Sequence, residues 1–471
     1  MYTLGIDSST QGVKALVYDT AAQKAVATVS VSFGKDLPEF GCPDGFLPND
    51  DVLVRQSDPL MWLAALDLLL SRLGDAFDTS SIAAIGGDGQ QHGSVYLNSA
   101  WGDALAALGR AWDGRNGLRD IFGGALSRKV APIWMDSSTT AQCRALDEKF
   151  GKALQLRTGS PAIERFTGPQ IMKFAAEDPA AWEETRRVHL VSSFLCSVLS
   201  GTDAPIDTGD GAGMNLLDLA EGKWAEDICG FAAPGLLGRL PAVARPGEDA
   251  ALSLAPYFER YGFRAGIPII PFTGDNPASL VGTGADKPGV AVVSIGTSDV
   301  FFAAMDRFQT DPGGCGHVFG NPSGGFMSLA CVKNGSLARE KVRGMAGCDW
   351  KFFDETAFDL AGTRRELRAF PYFESEITPI HPATGIEANF DWDSASPEEK
   401  VVSVVRGQVL NLFERTNWIG RFDVIRVTGG ASRSRGIRDT IADVFGARVE
   451  TLDVADSAAL GGAILAGRRL S

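Results

Sequence analysis

LGIDSSTQGVKALVYD, residues 4–19, and VVSIGTSDVFFAAMD, residues 292–306, are the two stretches on which the fold turns. Each is an apolar run, broken by a small polar turn, then a second apolar run. That is the pattern of strand, tight turn and strand. A chain that starts the same supersecondary unit twice, almost three hundred residues apart, predicts two related α/β domains. The second copy follows GADKPG (284–289), a polar turn suited to a boundary, so domains are expected at 1–285 and 286–471. A length of 471 residues also exceeds one typical core.

Working outward, residues 59–74 carry Leu60, Leu63, Ala64, Leu66 and Leu70 at helical spacing. IAAIGGDGQQHG (82–93) is a buried-type strand that breaks into a glycine-rich loop, and residues 99–130 read as a weakly patterned excursion. PIWMD (132–136) is expected to be a short strand, with a helix from 138. VHLVSSFLCSVLSG (188–201) reads as an apolar helix stopped by glycine. The stretch 268–284 is strand, loop and helix, 401–420 a long helix, and 423–446 strand, glycine turn and helix ending at Gly446.

Composition narrows the function classes. The net charge of -14 argues against nucleic acid and anionic membranes as partners. A phosphate-bearing substrate would then need a local positive focus or a metal ion. Seven scattered cysteines, with no C-x-x-C pair, suit reduced thiols in the cytoplasm. The opening MYTLGID reads as strand rather than as an export signal. No apolar run approaches the ~18 residues of a membrane helix.

Several motifs can carry chemistry. Ser8, Ser9, Thr10 and Gly12 in one hairpin turn, and Gly296, Thr297 and Ser298 in the other, offer N–H groups and hydroxyls for phosphate oxygens. Either turn alone also reads as an ordinary hairpin. Asp7, at the end of the first strand, could hold Mg²⁺ through water. No G-x-x-x-x-G-K-[ST] occurs, and no G-x-G-x-x-G opens a helix after a strand, which disfavours a P-loop or dinucleotide fold. TGGASRSRG (428–436) leads a strand into a helix N-terminus, suited to a nucleotide phosphate or ribose, with Ser434 as N-cap. Gln91 and His92 in GDGQQHG (87–93) offer neutral hydrogen bonds that suit sugar hydroxyls, or a plain loop cap.

TGDNPASLVG (273–282) places Asp275 ahead of a helix, with Asn276 as N-cap and Pro277 in the first turn. The helix dipole favours the charged form, so Asp275 is expected to be a carboxylate at neutral pH. Such a group can accept a proton from an alcohol during phosphoryl transfer. The same residues also read as an Asx turn.

Taken in order, GIDSSTQGVKA, GQQHG, PIWMD, TGDNPAS, SIGTSD, FPYFESEITP and VTGGASRSR resemble the FGGY carbohydrate kinases over nearly the whole chain. GQQHGSVY, PIWMDSSTTAQCRAL, ERFTGPQI and VKNGSLARE are most similar to members, of the kind also found in animals, that phosphorylate D-xylulose. The resemblance implies two duplicated actin-like ATPase (ribonuclease H-like) domains around a central cleft, closing on sugar and ATP. It implies transfer of the ATP γ-phosphoryl group to O5 of D-xylulose, with Mg²⁺, in xylose metabolism. It implies Asp275 as the base, and His92, Gln91, Arg165, Asp275 and Asn276 as sugar-binding residues. For the nucleotide it implies Thr10, Gly296, Thr297, Trp350, Gly430 and Ala431, with Ser434 where relatives have Asn. A homodimer is possible.

Two departures stand out. WMDSS (134–138) lacks the arginine of the W-N-D-x-R found in many bacterial pentulose kinases, and Arg165 is the candidate to supply that charge. SEITP (375–379) has Ile377 where G-E-R-T-P has arginine. A kinase for ribulose, fuculose or glycerol is a rival reading; an actin-like ATPase without a sugar, and a non-catalytic sensor, are others. Asp275 beside Asn276 and the Gln91–His92 loop favour the sugar kinase.

Overall fold

The computed structural model describes residues 1–246, 252–359 and 363–470. It forms two compact units. Unit 1 comprises Met1–Gly282, Phe319–Gly325 and Asp456–Ser471; unit 2 comprises Thr283–Val318 and Phe326–Ala455.

Unit 1 opens with β1 (Tyr2–Ser8), β2 (Gly12–Asp19) and β3 (Lys24–Ser32), an antiparallel meander. Helix α1 (Pro59–Ala76) follows, capped by Asp58, whose carboxylate accepts the Leu60 N–H at 2.8 Å. Its apolar stripe, with Trp62, Leu66, Leu69 and Leu73, is buried. The chain returns as β4 (Ile82–Gly89), parallel to β1. Later come α2 (Val191–Ser200), β5 (Leu252–Ser253), β6 (Pro268–Ile269), β7 (Thr273–Gly274) and α3 (Asp275–Gly282). The sheet runs β5-β6-β4-β1-β2-β3, and β7 also pairs with β4.

Unit 2 repeats the plan with β8 (Val290–Ile295), β9 (Asp299–Met305) and β10 (Phe326–Val332). Helices α4 (Ser336–Met345), α5 (Trp350–Asp359) and α6 (Pro397–Thr416) follow, then β11 (Val424–Thr428), α7 (Arg435–Phe445) and β12 (Arg448–Thr451). Helix α6 starts on a capping box, Ser396 with Glu399, and Pro397 at its first position. The strands lie in the order β10-β9-β8-β11-β12. In both units a first strand pairs antiparallel with the next strand on one side and parallel with a late strand on the other. The repeated sequence is therefore a repeated sheet, and the fold is two duplicated actin-like α/β domains.

The last helix, α8 (Ser457–Arg469), belongs to unit 1, so a division at 285/286 does not describe the packing. The cause is in the strands. A Cβ on Gly5 would lie 1.8 Å from the Ala459 carbonyl, and one on Gly86 would lie 2.3 Å from that of Gly462. Only glycines let α8 lie this close to β1 and β4.

Three local expectations change. Residues 187–190 are a strand paired with 94–97, and only 191–200 are helical, ending at Gly201 with φ +64. The predicted strand 132–136 shrinks to Ala131–Pro132, because the Asp136 N–H turns back to the Ile133 carbonyl. The excursion 99–130 holds two short helices, which bury Trp101, Leu118 and Phe122 in the unit 1 core. Among the described residues no helix is long and apolar enough to cross a membrane.

Candidate active site

In unit 1 the carboxyl ends of β4 and β7 bring Gln91, His92, Asp275 and Asn276 together. Strand β7 runs parallel to β4, with Gly274 opposite Gly89, and α3 starts at once. A Cβ on Gly274 would lie 2.5 Å from the Gln91 side chain, so this glycine admits Gln91 to the site. Asn276 donates from its amide to Gln91 Oε1 at 3.0 Å and to Asp275 Oδ1 at 3.1 Å. The Asn276 main-chain N–H donates to the same Asp275 oxygen at 2.9 Å.

These contacts revise the local reading of TGDNPASLVG. The helix begins at Asp275 itself, and Asn276 is a bridge between Gln91 and Asp275 rather than an N-cap. The charge state changes too. Burial, then the nearby charge of Asp7, push the Asp275 carboxyl up to about 7, against the main-chain donors from Asn276 and Gln91. Desolvation outweighs the dipole that was expected to keep it ionised. A carboxyl in this range is suited to take a proton near neutral pH.

His92 sits in the left-handed region, φ +70, an uncommon conformation for a residue with a side chain. Three contacts hold it there. Its Nδ1 donates to the Gly213 carbonyl at 2.9 Å, the Thr167 hydroxyl donates to its carbonyl at 3.0 Å, and its ring stacks on Phe166 at 4.3 Å. The Arg165 guanidinium lies 5.8 Å from the same Phe166 ring, so the arginine is placed beside the His92 loop. Asp136, the acid of PIWMD, is fully engaged in structure: it accepts from Gln170, Ser138 and the Arg55 N–H. Thr10 accepts a hydrogen bond from exposed Trp134 at 2.8 Å.

Around this site Asp7, flagged by the first motif, is joined by acids that the motifs did not flag. Asp7 faces Asp88 across β1 and β4. Burial raises both, Asp88 well above the ordinary range, and each is then affected by the other. Asp207 caps the turn 208–211 and is pushed up to about 6 by burial; buried Asp210, which accepts from Ser192, is pushed up as well. The signal for the last two was DTGDG (207–211), a second glycine-and-acid cluster. Among the described residues no three His, Cys, Asp or Glu are placed to hold a metal ion. Asp7 Oδ1 is buried with no hydrogen-bond partner, so a cation held by one or two carboxylates, water and phosphate fits.

In unit 2 the turn 296–298 is framed by buried chemistry. The Ser336 N–H donates to the Gly296 carbonyl at 2.9 Å. Asp299, one residue past the turn, pairs with Arg339 through two bonds of 3.0 and 3.1 Å, and Arg339 also reaches Gln408. A cleft beside the turn is lined by Thr297, Ser298, Lys333, Lys341 and Phe373. The two lysines supply positive charge that the motif reading did not assign. Glu376 of SEITP accepts from the N–H groups of Lys333 and Asn334 and so fixes that wall. Gly429 has φ +90, and a Cβ there would lie 2.5 Å from the Ile295 carbonyl. Gly430 and Ala431 then form a short turn, and Ser434 caps α7, accepting the Ile437 N–H. Trp350 is exposed at the start of α5, with Arg343 5.1 Å from its ring.

Comparison with known proteins gives one consistent result. The model of the FGGY family of carbohydrate kinases, N-terminal domain, matches residues 129–282, and that of the C-terminal domain matches 291–470. Xylulose kinase of Mus musculus is 38% identical, over 98% of this chain and 84% of its own length. Xylulose kinase 2 of Arabidopsis thaliana is 37% identical, over 98% of this chain and 86% of its own. The crystal structure of a xylulose kinase from Brucella ovis matches with a TM-score of 0.80 at 24% identity, over 99% of this chain and 90% of its own.

Proposed function

The chain belongs to the FGGY family of carbohydrate kinases, and from that premise we propose that it transfers the γ-phosphoryl group of ATP to O5 of D-xylulose. The observation that carries this reading is Asp275, a carboxyl raised to about 7 and fixed by Asn276 beside Gln91. The β–γ bridging P–O bond of ATP breaks, the bond from O5 to phosphorus forms, and the O5 proton passes to Asp275. ADP and D-xylulose 5-phosphate leave. The demand on the base is modest, because the transition state is loose.

Gln91, His92 and Asn276 would read the sugar hydroxyls, and Arg165 would add positive charge on the same side. Gly430, Ala431 and Ser434 at the start of α7 suit the nucleotide, with Trp350 on the adenine and Gly296, Thr297 and Thr10 on the phosphates. The metal is taken as Mg²⁺ near Asp7; when bound it neutralises charge on the phosphate oxygens. Seven cysteines without a disulfide suit a reducing compartment, and the cytoplasm is the proposed location.

A coupled assay of ADP release over D-xylulose, ribulose, fuculose and glycerol tests the reading. D-xylulose is expected to give the highest kcat/KM. No rate above the sugar-free background with D-xylulose would refute it. Arg165→Ala is expected to raise the sugar KM about tenfold, as for loss of one charged contact. A change confined to the ATP KM would remove Arg165 from the sugar side.

A further inference from the structure

The stretch DTGDGAGMN (207–215) is a loop that does not lie on the surface: every residue from 206 to 217 is buried. Connecting segments ordinarily run through solvent, because buried main-chain N–H and C=O groups must find partners. Here two of the carbonyls find theirs in the sugar-side motif. Gln91 donates from Nε2 to the Gly209 carbonyl at 3.4 Å, and His92 Nδ1 donates to the Gly213 carbonyl at 2.9 Å. A side chain at 213 would break the second contact, since its Cβ would lie 2.7 Å from His92 Nδ1.

The loop is itself held from several directions. Asp207 accepts the N–H groups of Gly209 at 3.1 Å and Asp210 at 2.9 Å. Asp210 is tied to α2 by the Ser192 hydroxyl, which donates to its carboxyl. On another side, a Cβ on Gly320 would lie 2.3 Å from the Thr208 hydroxyl oxygen, so the segment 319–325 closes on the loop. Main-chain carbonyls only accept, and this fixes which way each reader faces. Nδ1 of His92 carries its proton, so in the neutral ring Nε2 is the acceptor. Gln91 has its oxygen on the Asn276 amide at 3.0 Å and its nitrogen on the Gly209 carbonyl, so the amide is held against a flip. The pair offers an acceptor, His92 Nε2, and a donor, the second N–H of the Gln91 amide.

We propose that the buried loop 207–213 is the template for sugar reading. Asp207, Asp210 and Ser192 are positioning residues that hold the Gly209 and Gly213 carbonyls, and these carbonyls set His92 as an acceptor and Gln91 as a donor toward the sugar hydroxyls. The tie to the sugar rests on the kinase reading; the tautomer of His92 does not.

The test begins with nitrogen nuclear magnetic resonance of the imidazole rings in the full chain, without sugar or nucleotide. The chain has only four histidines, and His92→Gln identifies the signal. Above neutral pH, wild-type His92 is expected in the Nδ1–H form; a majority of the Nε2–H form would overturn the proposal. Asp207→Ala removes the acceptor of two N–H groups and is expected to shift that tautomer balance and to weaken D-xylulose binding about tenfold, with kcat and the ATP KM within about twofold of wild type. Asp207→Asn keeps an acceptor oxygen and is expected to restore both. A merely structural role would lower the melting point without moving the tautomer or separating the sugar from the ATP constants. Unchanged sugar affinity in folded Asp207→Ala, or sugar and ATP constants rising together, would overturn the proposal. If Asp207→Ala failed to fold, Gly320→Ala, which presses on Thr208 from outside the motif, is expected to weaken the sugar in the same way. If neither folds, the wild-type tautomer decides. Sugar-dependent ADP release with His92 in the Nε2–H form sinks the template alone. The Nδ1–H form in wild type, lost in Asp207→Ala, with no binding of D-xylulose, sinks the xylulose reading alone.

Discussion

The two hairpins that begin the two units share a sheet position and differ in what their strand ends present. In unit 1, β1 ends on Asp7 and its parallel neighbour β4 carries Asp88 beside it. In unit 2, β8 leads into Gly296, and its neighbour β11 leads into Gly429 and Gly430. The acid of the second hairpin comes three residues later, as Asp299, and is neutralised by Arg339 at 3.0 Å. One copy leaves carboxylates unpaired, suited to a proton or a cation. The other removes its acid from play and leaves main-chain N–H groups, suited to an anion. Duplication repeated the geometry of the strand ends. A few substitutions divided the chemistry between them.

The largest expected effect lies in the acidic copy. Asp275→Asn keeps the shape, keeps an acceptor oxygen for the Asn276 N–H, and removes the base. A fall in kcat of about 10²–10⁴ is expected, the range for loss of a positioned general base. Sugar binding, measured by calorimetry, should be little changed. Turnover within a few-fold of wild type would break the contrast at its most important point.

Next comes the neutralised copy. Arg339→Met leaves Asp299 buried without its partner, and loss of one member of a buried pair costs about 3–5 kcal/mol. Unit 2 should unfold at lower denaturant, and the ATP KM should rise because the turn 296–298 loses its frame. Adding Asp299→Asn should recover much of the stability. If the single variant were as stable as wild type, Asp299 would not be the restrained acid that the comparison requires.

A smaller effect is expected on the pH profile. With Asp275 at about 7, kcat/KM for the sugar should rise with pH through that value. In the cation-free protein, Asp7→Asn removes the charge that helps hold Asp275 up, so the limb of the Asp275 titration, followed by nuclear magnetic resonance, should move down. A limb that stays in place would separate Asp275 from Asp7.

How much of this was legible in the sequence follows from what each feature depends on. The repeated strand–turn–strand, the helical stripe over 59–74 and the Gly446 stop are local, and local patterning sets them, whereas the long helix read at 401–420 runs from Pro397 to Thr416. The motif residues of the sugar side do converge, since Gln91, His92, Asp275 and Asn276 lie on two neighbouring strand ends. What local pattern could not give was burial. Asp88 is one residue in a glycine-rich loop until β1 and β7 enclose it, and Asp207 and Asp210 are ordinary turn acids until α2 covers them. The same missing information reversed the expected charge state of Asp275, because desolvation is a property of the packed unit. Residues 188–190 misled for a similar reason: their apolar run suits a helix, and only pairing with 94–96 makes it a strand.

The smallest expected effect reads the contrast through stability. Asp275 has a folded-state value of about 7 against an ordinary value of 3.8. Its folded form therefore holds the proton more tightly than the unfolded chain does. By linkage, stability is fully present below the unfolded value, falls as pH rises between the two, and stays reduced above about 7. Asp275→Asn removes this titration. At pH 8 the variant should be more stable than wild type, with a melting point higher by a few degrees, and the gain should shrink towards pH 4. Removing Asp299 alone from unit 2 should do the reverse, since it strands the Arg339 charge. Calorimetry of both variants at the two pH values gives the sign directly. A melting point for Asp275→Asn below that of wild type at pH 8 would mean that this carboxyl is stabilised by its surroundings, and that the first copy spares no acid at all.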